Sequence, residues 1–178
     1  VFRRAIERGV TPNMIFFGPS GVGKTTVASI IARKTGKKLF KLNGTQSSTA
    51  DIKDIINQIN TFGTENGILL YLDEIQYLNK KQQQSLLEVM EDGSVTLIAS
   101  TTENPYFAIF NAILSRSTVF EFKPLSAADV KEGIAKAMHR FEAESGTKIL
   151  IADEARATLS YGCGGDMRKC VNARELLI

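Results

Sequence analysis

Tryptophan is absent from the 178-residue sequence, histidine occurs once, and cysteine occurs only twice. Cys163 and Cys170 have no second pair of cysteines beside them, which excludes a scaffold built on several disulfides. One histidine and two cysteines also supply too few of the usual ligands to indicate a zinc site. We therefore expect two reduced thiols in a cytosolic protein.

Long apolar runs and a strong charge of either sign are missing as well. No run approaches the roughly 18 residues that a membrane-spanning helix requires, and no signal peptide is present, so no membrane partner is expected. The sequence is 43% hydrophobic and 23% charged, which is typical of a globular protein and excludes disordered and fibrous classes. Its net charge of +3 permits nucleic-acid binding but does not argue for it.

Short apolar runs alternate with amphipathic segments over the first two-thirds of the chain. This alternation predicts the α/β class, with a five-stranded, mostly parallel sheet flanked by helices. The apolar runs predict strands at 14–17, 39–42, 68–72, 94–99 and 119–122. The amphipathic segments predict helices at 24–35, 51–62, 80–91 and 106–114.

The pattern changes after Leu125. Ser126 opens a capping box that predicts a helix over 127–144, and two more helices are expected at 153–161 and 166–177. We therefore divide the chain into a core over 1–125 and a small all-helical lid subdomain over 126–178. Because the sequence starts at Val1 and stops inside an apolar, helix-like run, we expect a fragment with a truncated lid.

The strongest motif lies between the first predicted strand and the first predicted helix. Residues 18–25 fit the P-loop pattern G-x-x-x-x-G-K-[ST], in which glycines and a helix N-terminus present backbone N–H groups to phosphate oxygens. We expect Lys24 to bridge the β- and γ-phosphates of ATP and Thr25 to bind Mg²⁺. The residues expected to bind the nucleotide are Gly18, Pro19, Ser20, Gly21, Val22, Gly23, Lys24, Thr25 and Thr26.

Two carboxylates end the apolar strand at 68–72, as in a Walker B element. Asp73 is expected to bind the metal beside the P-loop, and Glu74 is expected to polarise the attacking water. A kinase would not need a base at this position, so Glu74 indicates hydrolysis.

Four further polar residues are weaker candidates for catalysis. Thr102, at a strand end, can hydrogen-bond the water or γ-phosphate, or only cap the strand. Arg116 follows a short helix and is either an arginine finger for a neighbour's nucleotide or a surface residue. Arg168 begins a lid helix from which it can reach the γ-phosphate. Asn43 can hold Glu74 away from the water, or only form a turn.

These motifs together resemble the AAA+ ATPases, in the clamp-loader branch. The run from Asp73 to Gln83, the Glu-Asp-Gly at 91–93 and the Thr-Thr-Glu-Asn-Pro at 101–105 are similar to the RarA (MgsA) family, relatives of the eukaryotic Werner helicase-interacting protein. By this resemblance Thr102 is sensor 1, Arg116 the arginine finger and Arg168 sensor 2. Asn43 matches a clamp-loader position that pairs with the catalytic glutamate.

The resemblance implies a DNA-dependent ATPase acting in replication, recombination and repair at stalled or gapped forks. It further implies tetramers formed through a C-terminal domain beyond this chain, and a single-strand-binding protein as a candidate partner. The expected location is the cytoplasm and nucleoid in a bacterium, or the nucleus in a eukaryote.

Three other functions are compatible with an ATPase core or a P-loop. They are a clamp-loader-like scaffold that binds ATP with little hydrolysis, a RuvB-like Holliday-junction motor, and a small-molecule kinase. Lys24, Asp73 and Glu74 favour the hydrolysing enzyme, and the two arginines disfavour the kinase. For DNA contact we expect Lys80 and Lys81, which directly follow the Walker B segment.

Overall fold

The computed structural model, which describes residues 11–59, 61–91, 93–146, 158 and 161–169, contains a five-stranded parallel sheet. The strand order is β2-β3-β4-β1-β5, and all neighbouring strands run parallel. The predicted α/β class and flanked parallel sheet are therefore confirmed. The strands are β1 (Met14–Phe17), β2 (Lys38–Asn43), β3 (Ile68–Asp73), β4 (Val95–Thr101) and β5 (Thr118–Glu121).

Six helices accompany the sheet within the described part of the chain. They are α1 (Lys24–Thr35), α2 (Thr49–Ile56), α3 (Lys80–Glu91), α4 (Pro105–Ala108), α5 (Asn111–Leu114) and α6 (Ala127–Ser145). A single 3₁₀ turn (Ile75–Tyr77) follows β3. None of these helices is long and apolar enough to cross a membrane.

Contacts divide the chain into two compact units. The sheet unit comprises Val1–Gly18 and Lys24–Glu121, and the helical unit comprises Pro19–Gly23 and Phe122–Ile178. The division assigns the five central P-loop residues to the helical unit, whereas Lys24 and Thr25 belong to the sheet unit.

The core of the sheet unit lies around the adjacent inner strands β3 and β4. Every residue of β4 and the first five of β3 are buried, as expected for parallel strands that are covered on both faces. The edge strand β2 is less buried and carries Lys38 and the exposed Lys41, and charged residues of this kind discourage pairing with another chain.

Two predicted helices have different limits in the structure. The helix expected at 51–62 begins earlier, because the Ser48 side chain accepts from Asp51 N in a capping box, and it ends at Ile56. The helix expected at 106–114 is two short helices, because Ile109 is extended and Phe110 N donates to the buried Gln83 Oε1 over 2.9 Å.

The helical unit has a small core of its own. Helix α6 starts at a Ser126–Asp129 capping box and ends at Gly146, whose φ of 68° suits glycine. Val130, Ile134, Met138 and Cys163 are buried together. Cys163 is disulfide-bonded, so the expectation of reduced thiols is wrong. Most of the helices expected at 153–161 and 166–177 lies outside the described residues.

Candidate active site

The P-loop connects β1 to α1 with a backbone that requires glycine. Gly18, Gly21 and Gly23 have φ values of 142°, 72° and 97°, which other residues rarely adopt. A Cβ added at Gly23 would meet no atom within 4 Å, so conformation rather than crowding selects glycine there. Gly23 thus combines a glycine-dependent backbone with open space, which fits the approach of a polyphosphate.

Lys24 carries its charge into the interior of the sheet unit. Its residue is only 7% exposed, and its Nζ donates a hydrogen bond of 2.7 Å to Gly18 O. A buried ammonium group is unfavourable unless it has polar partners. A phosphate group is a suitable partner for such a charge, so Lys24 fits the predicted role.

Thr25 and Asp73, the two predicted metal ligands, are linked through two other hydroxyl groups. Thr25 Oγ1 donates to Tyr71 Oη over 3.0 Å, and Tyr71 Oη lies 3.0 Å from Ser100 Oγ and 3.2 Å from Asp73 Oδ1. Ser100 Oγ also donates to Asp73 Oδ1. Burial raises the pKa of Tyr71 to about 12, so its hydroxyl stays protonated at neutral pH.

Sequence reasoning missed both Tyr71 and Ser100. The available signal was Tyr71 inside the apolar run at 68–72, whereas Ser100 is one of three hydroxyl residues in β4, beside Thr96 and Thr101. In the described part of the chain no group of three or more His, Cys, Asp or Glu side chains could hold a metal ion. One threonine and one aspartate instead fit Mg²⁺, which keeps several waters and takes few protein ligands.

Glu74 occupies a strained backbone position directly after β3. Its φ of 53° makes it the one described non-glycine residue with a positive φ, and such strain is common at active sites. Its Oε2 accepts from Gln76 Nε2 over 2.5 Å and lies 3.4 Å from Thr102 Oγ1. The structure therefore places Thr102 beside Glu74 and adds Gln76, which sequence reasoning missed.

Asn43 does not make the expected contact with Glu74. Its Oδ1 accepts from both Thr45 N and Thr45 Oγ1, over 2.9 and 2.7 Å, because asparagine readily closes a local turn in this way. The next residue is the one that reaches Glu74: a Cβ at Gly44 would lie 2.2 Å from Glu74 O. The end of β2 thus meets the backbone of Glu74, and the hydrogen bonds of Asn43 stay within its own turn.

A polar cavity of about 430 Å³ opens beside Asp73. One side of the cavity is formed by Thr25, Tyr71 and Asp73, three of the hydrogen-bonded residues described above. Its other side is formed by the end of β2 and the loop that follows. Its remaining lining residues are Lys41, Leu42, Asn43, Gln46, Ser47 and Asp51.

Arg116 lies on the surface of the sheet unit, and no hydrogen bond or ion pair joins it to Asp73 or Glu74. Its Nη2 forms an ion pair of 2.6 Å with Glu91 Oε1, and the two side chains are 41% and 56% exposed. Its Nη1 donates to Ala112 O over 3.0 Å. An exposed guanidinium with a surface partner is available to a neighbouring molecule, so the finger role stays a prediction.

Lys80 and Lys81, the predicted DNA contacts, are both exposed at the start of α3. Lys80 Nζ lies 5.2 Å from the centre of the Phe110 ring, a cation–π distance. Their role in DNA binding stays a prediction.

In the helical unit the segment that carries Arg168 adjoins the P-loop. Met167 N donates to Gly21 O over 3.1 Å, and a Cβ at Gly21 would overlap Asp166 Oδ1. Asp166 Oδ1 also accepts from the backbone N–H groups of Arg168 and Lys169. Asp166 thus caps the turn that presents the exposed Arg168, a positioning role that the sequence did not indicate.

Known proteins resemble this chain in sequence and in fold. The family model described as "ATPase family associated with various cellular activities (AAA)" matches residues 14–125. Replication-associated recombination protein A of Bacillus subtilis is 36% identical over an alignment of 179 positions, which spans 100% of this chain and 42% of that protein. ATPase WRNIP1 of Dictyostelium discoideum is 31% identical, again over 100% of this chain but 20% of its own length. The chain therefore spans less than half of these relatives.

Solved structures of Thermotoga maritima RuvB have a similar fold. A single-residue RuvB mutant matches 96% of this chain and 56% of its own with a TM-score of 0.76 and 25% identity. The structure described as the RuvB Holliday junction branch migration motor gives a TM-score of 0.74 at 24% identity, over 96% of this chain and 55% of its own. The predicted resemblance to RarA is confirmed over the full length of this chain. Because the family model also covers more than half of the sequence, the chain belongs to the AAA family of ATPases.

Proposed function

We propose that this chain is the ATP-hydrolysing domain of a DNA-dependent ATPase that acts in replication-associated recombination and repair. The observation that carries the hydrolysis is the position of Glu74, whose carboxylate directly follows Asp73 and is held by Gln76 and Thr102. The relatives named for replication-associated recombination support the DNA-linked part.

In the proposed reaction the P-loop residues 18–26 bind the triphosphate, and Lys24 stabilises the charge on its β- and γ-phosphates. Glu74 accepts a proton from the water whose oxygen attacks the γ-phosphorus. The bond between that phosphorus and the β,γ-bridging oxygen breaks, and ADP and inorganic phosphate leave. Thr102 keeps the Glu74 carboxylate or the water in position.

Mg²⁺ is the metal we propose for this site, held by Thr25 and Asp73. When bound, it supplies positive charge against the phosphate oxygens. Arg168 is proposed to contact the γ-phosphate as sensor 2, from the segment capped by Asp166.

Arg116 is proposed to act on the nucleotide of a neighbouring subunit in a homo-oligomer, a tetramer by the RarA resemblance. Exposed ion pairs stabilise proteins by about 0–1 kcal/mol. Exchanging Glu91 for a neighbour's phosphate therefore costs the chain little. DNA in single-stranded, gapped or forked form and a single-strand-binding protein are the proposed partners of the whole protein. A RuvB-like motor is the second candidate, favoured by the likeness in fold.

The test is phosphate release by the full-length protein with and without single-stranded, gapped and forked DNA. We expect DNA to stimulate turnover, Lys24→Ala to abolish it, and Arg116→Ala to lower it by about 10³-fold or more. Mixing the two variants should restore part of the activity, because each supplies what the other lacks at shared interfaces.

Lys34→Ala, at the other end of α1, is the matched control and should keep the parent's rate. A rate that no DNA changes would contradict the DNA-dependent function. Full activity of Arg116→Ala would contradict the finger, and preference for a four-way junction substrate would favour the RuvB-like motor.

A further inference from the structure

Four side chains on three different elements form one continuous set of hydrogen bonds. Thr25 begins the set on α1, Tyr71 and Asp73 lie on β3, and Ser100 lies on β4. Tyr71 is 2% exposed and Ser100 is 0% exposed. Buried hydroxyls destabilise a protein unless they are paired, and here each one is paired with the next.

The order of the donors follows from the number of protons. Each hydroxyl has one proton to donate, and a carboxylate group such as that of Asp73 is an acceptor. Ser100 donates to Asp73 Oδ1, so Ser100 Oγ is free to accept from Tyr71. Tyr71 in turn accepts from Thr25. The direction that satisfies every group runs from Thr25 through Tyr71 and Ser100 to Asp73.

This direction leaves both ends of the set ready for a cation. Thr25 donates its proton to Tyr71, so the lone pairs of its oxygen are available to a cation. Within the described residues, the hydrogen bonds to the Asp73 side chain all reach Oδ1, so Oδ2 is available to the same cation. Groups that hydrogen-bond to metal ligands fix the orientation of those ligands.

We propose that Tyr71 and Ser100 are positioning residues for Mg²⁺, acting as a hydroxyl relay that fixes Thr25 and Asp73 relative to each other. The proposal rests on the proposed function, since it concerns the metal of that same site. Neither residue touches the metal or the nucleotide; they orient the two side chains that do.

The test measures how much Mg²⁺ strengthens nucleotide binding in Tyr71→Phe and Ser100→Ala. The dissociation constant of a fluorescent ATP analogue is measured in EDTA and in saturating MgCl₂, and the ratio of the two is the magnesium enhancement. We expect each variant to keep the parent's affinity in EDTA within about two-fold and to lose about ten-fold or more of the enhancement. The double variant should lose no more than the worse single variant, because the relay acts as a unit.

Tyr77→Phe removes the same hydroxyl from an exposed tyrosine and serves as the matched control. Thermal unfolding in EDTA measures any stability that the variants lose. Lower stability with an unchanged magnesium enhancement would mean that the hydroxyls only pack the core, and it would overturn the relay. A parent chain that binds no nucleotide at any Mg²⁺ concentration would instead contradict the proposed function, and the relay with it.

Discussion

Asp73 and Glu74 are adjacent in sequence, yet their surroundings differ in kind. Asp73 ends a buried strand, accepts a hydrogen bond from the buried Ser100 hydroxyl and lies 3.2 Å from the buried Tyr71 Oη. Glu74 begins the next turn at a φ of 53°, and its carboxylate is held by one amide and, at 3.4 Å, by the exposed Thr102.

The amide that holds Glu74 is itself incompletely paired. Gln76 donates through Nε2, whereas its Oε1 is buried without a hydrogen-bond partner, and such a group is unfavourable by about 1–3 kcal/mol. A metal ligand benefits from a fixed position, whereas a general base has to adjust as it takes up a proton. The fully paired hydroxyls around Asp73 therefore suit a metal ligand, and the strained, partly paired turn that carries Glu74 suits a base.

Among the substitutions that test this contrast, those of the two carboxylates themselves should change turnover the most. Glu74→Gln should lower turnover by about 10²-fold or more and leave Mg²⁺-dependent nucleotide binding unchanged, because it removes the base alone. Asp73→Asn should lower both, because it removes a metal ligand. Phosphate release and calorimetric ATP binding by the full-length protein give the two readouts.

Glu88→Gln, an exposed carboxylate on α3, is the control for both substitutions. If Glu74→Gln hydrolysed ATP at the parent's rate, Glu74 would not be the base. If Asp73→Asn kept the parent's magnesium enhancement, the contrast between the two carboxylates would be lost.

A smaller effect is expected at Gln76. A hydrogen bond to a charged group stabilises it by about 1.5–3 kcal/mol, so Gln76→Ala should lower kcat by about ten-fold and leave KM and nucleotide affinity nearly unchanged. Gln76→Glu should lower kcat further, because it places a second negative charge beside Glu74. Steady-state kinetics of the full-length protein measures both.

Gln84→Ala removes an exposed amide from α3 and should change nothing. An unaltered kcat in Gln76→Ala would show that Thr102 alone suffices to hold the base. A matching rise in KM would point instead to a role in substrate binding.

The smallest effect is expected at the cap of α2, and it tests whether either carboxylate depends on overall stability. Ser48→Ala removes a helix cap and should lower the free energy of unfolding by about 1 kcal/mol, with turnover within two-fold of the parent. Ser126→Ala, the equivalent change at α6, is the matched control. A much lower turnover in Ser48→Ala alone would link the loop after β2 to Glu74.

The difference in free energy of unfolding between the parent and Ser48→Ala should also depend on pH. Hydrogen bonds from the Ser48 backbone N–H and hydroxyl lower the pKa of Asp51. A carboxyl with a lowered pKa in the folded state adds stability above its ordinary pKa, and this is lost as pH falls through the lowered value. The gap between the parent and Ser48→Ala should therefore narrow in acid, as denaturant unfolding at pH 7 and below pH 4 would measure.

The sequence predicted best those features that depend on neighbouring residues. The limits of α1 and α3 match the structure, since their periodicity and flanking residues are local. The P-loop and the paired carboxylates are also contiguous motifs. Within α3, however, Gln83 stands among polar residues and is nevertheless only 5% exposed. Its amide donates to Leu78 O and accepts from Phe110 N, a distant partner that no local pattern reveals.

The hydroxyl relay was unpredictable for the same physical reason. Tyr71 pairs with Ile98 in the register of β3 and β4, and Ser100, two residues further on, therefore lies on the same face of the sheet. A shift of one residue would have separated the two hydroxyls, and the sequence does not specify that register. For Asn43 the sequence left two alternatives, because a strand-end asparagine can reach a neighbour or form its own turn, and the structure has the turn.

The close approach of Gly44 to Glu74 has a genetic consequence. The backbone of Gly44 is not in the left-handed region, so nothing in its conformation forbids a side chain, yet a Cβ there would lie 2.2 Å from a backbone oxygen of Glu74. Only a displacement of that peptide relieves the overlap. In a saturation screen, alleles at position 44 should therefore resemble alleles at position 74, with normal protein levels and lost turnover. Their suppressors should arise in the turn that follows β3 rather than in the P-loop.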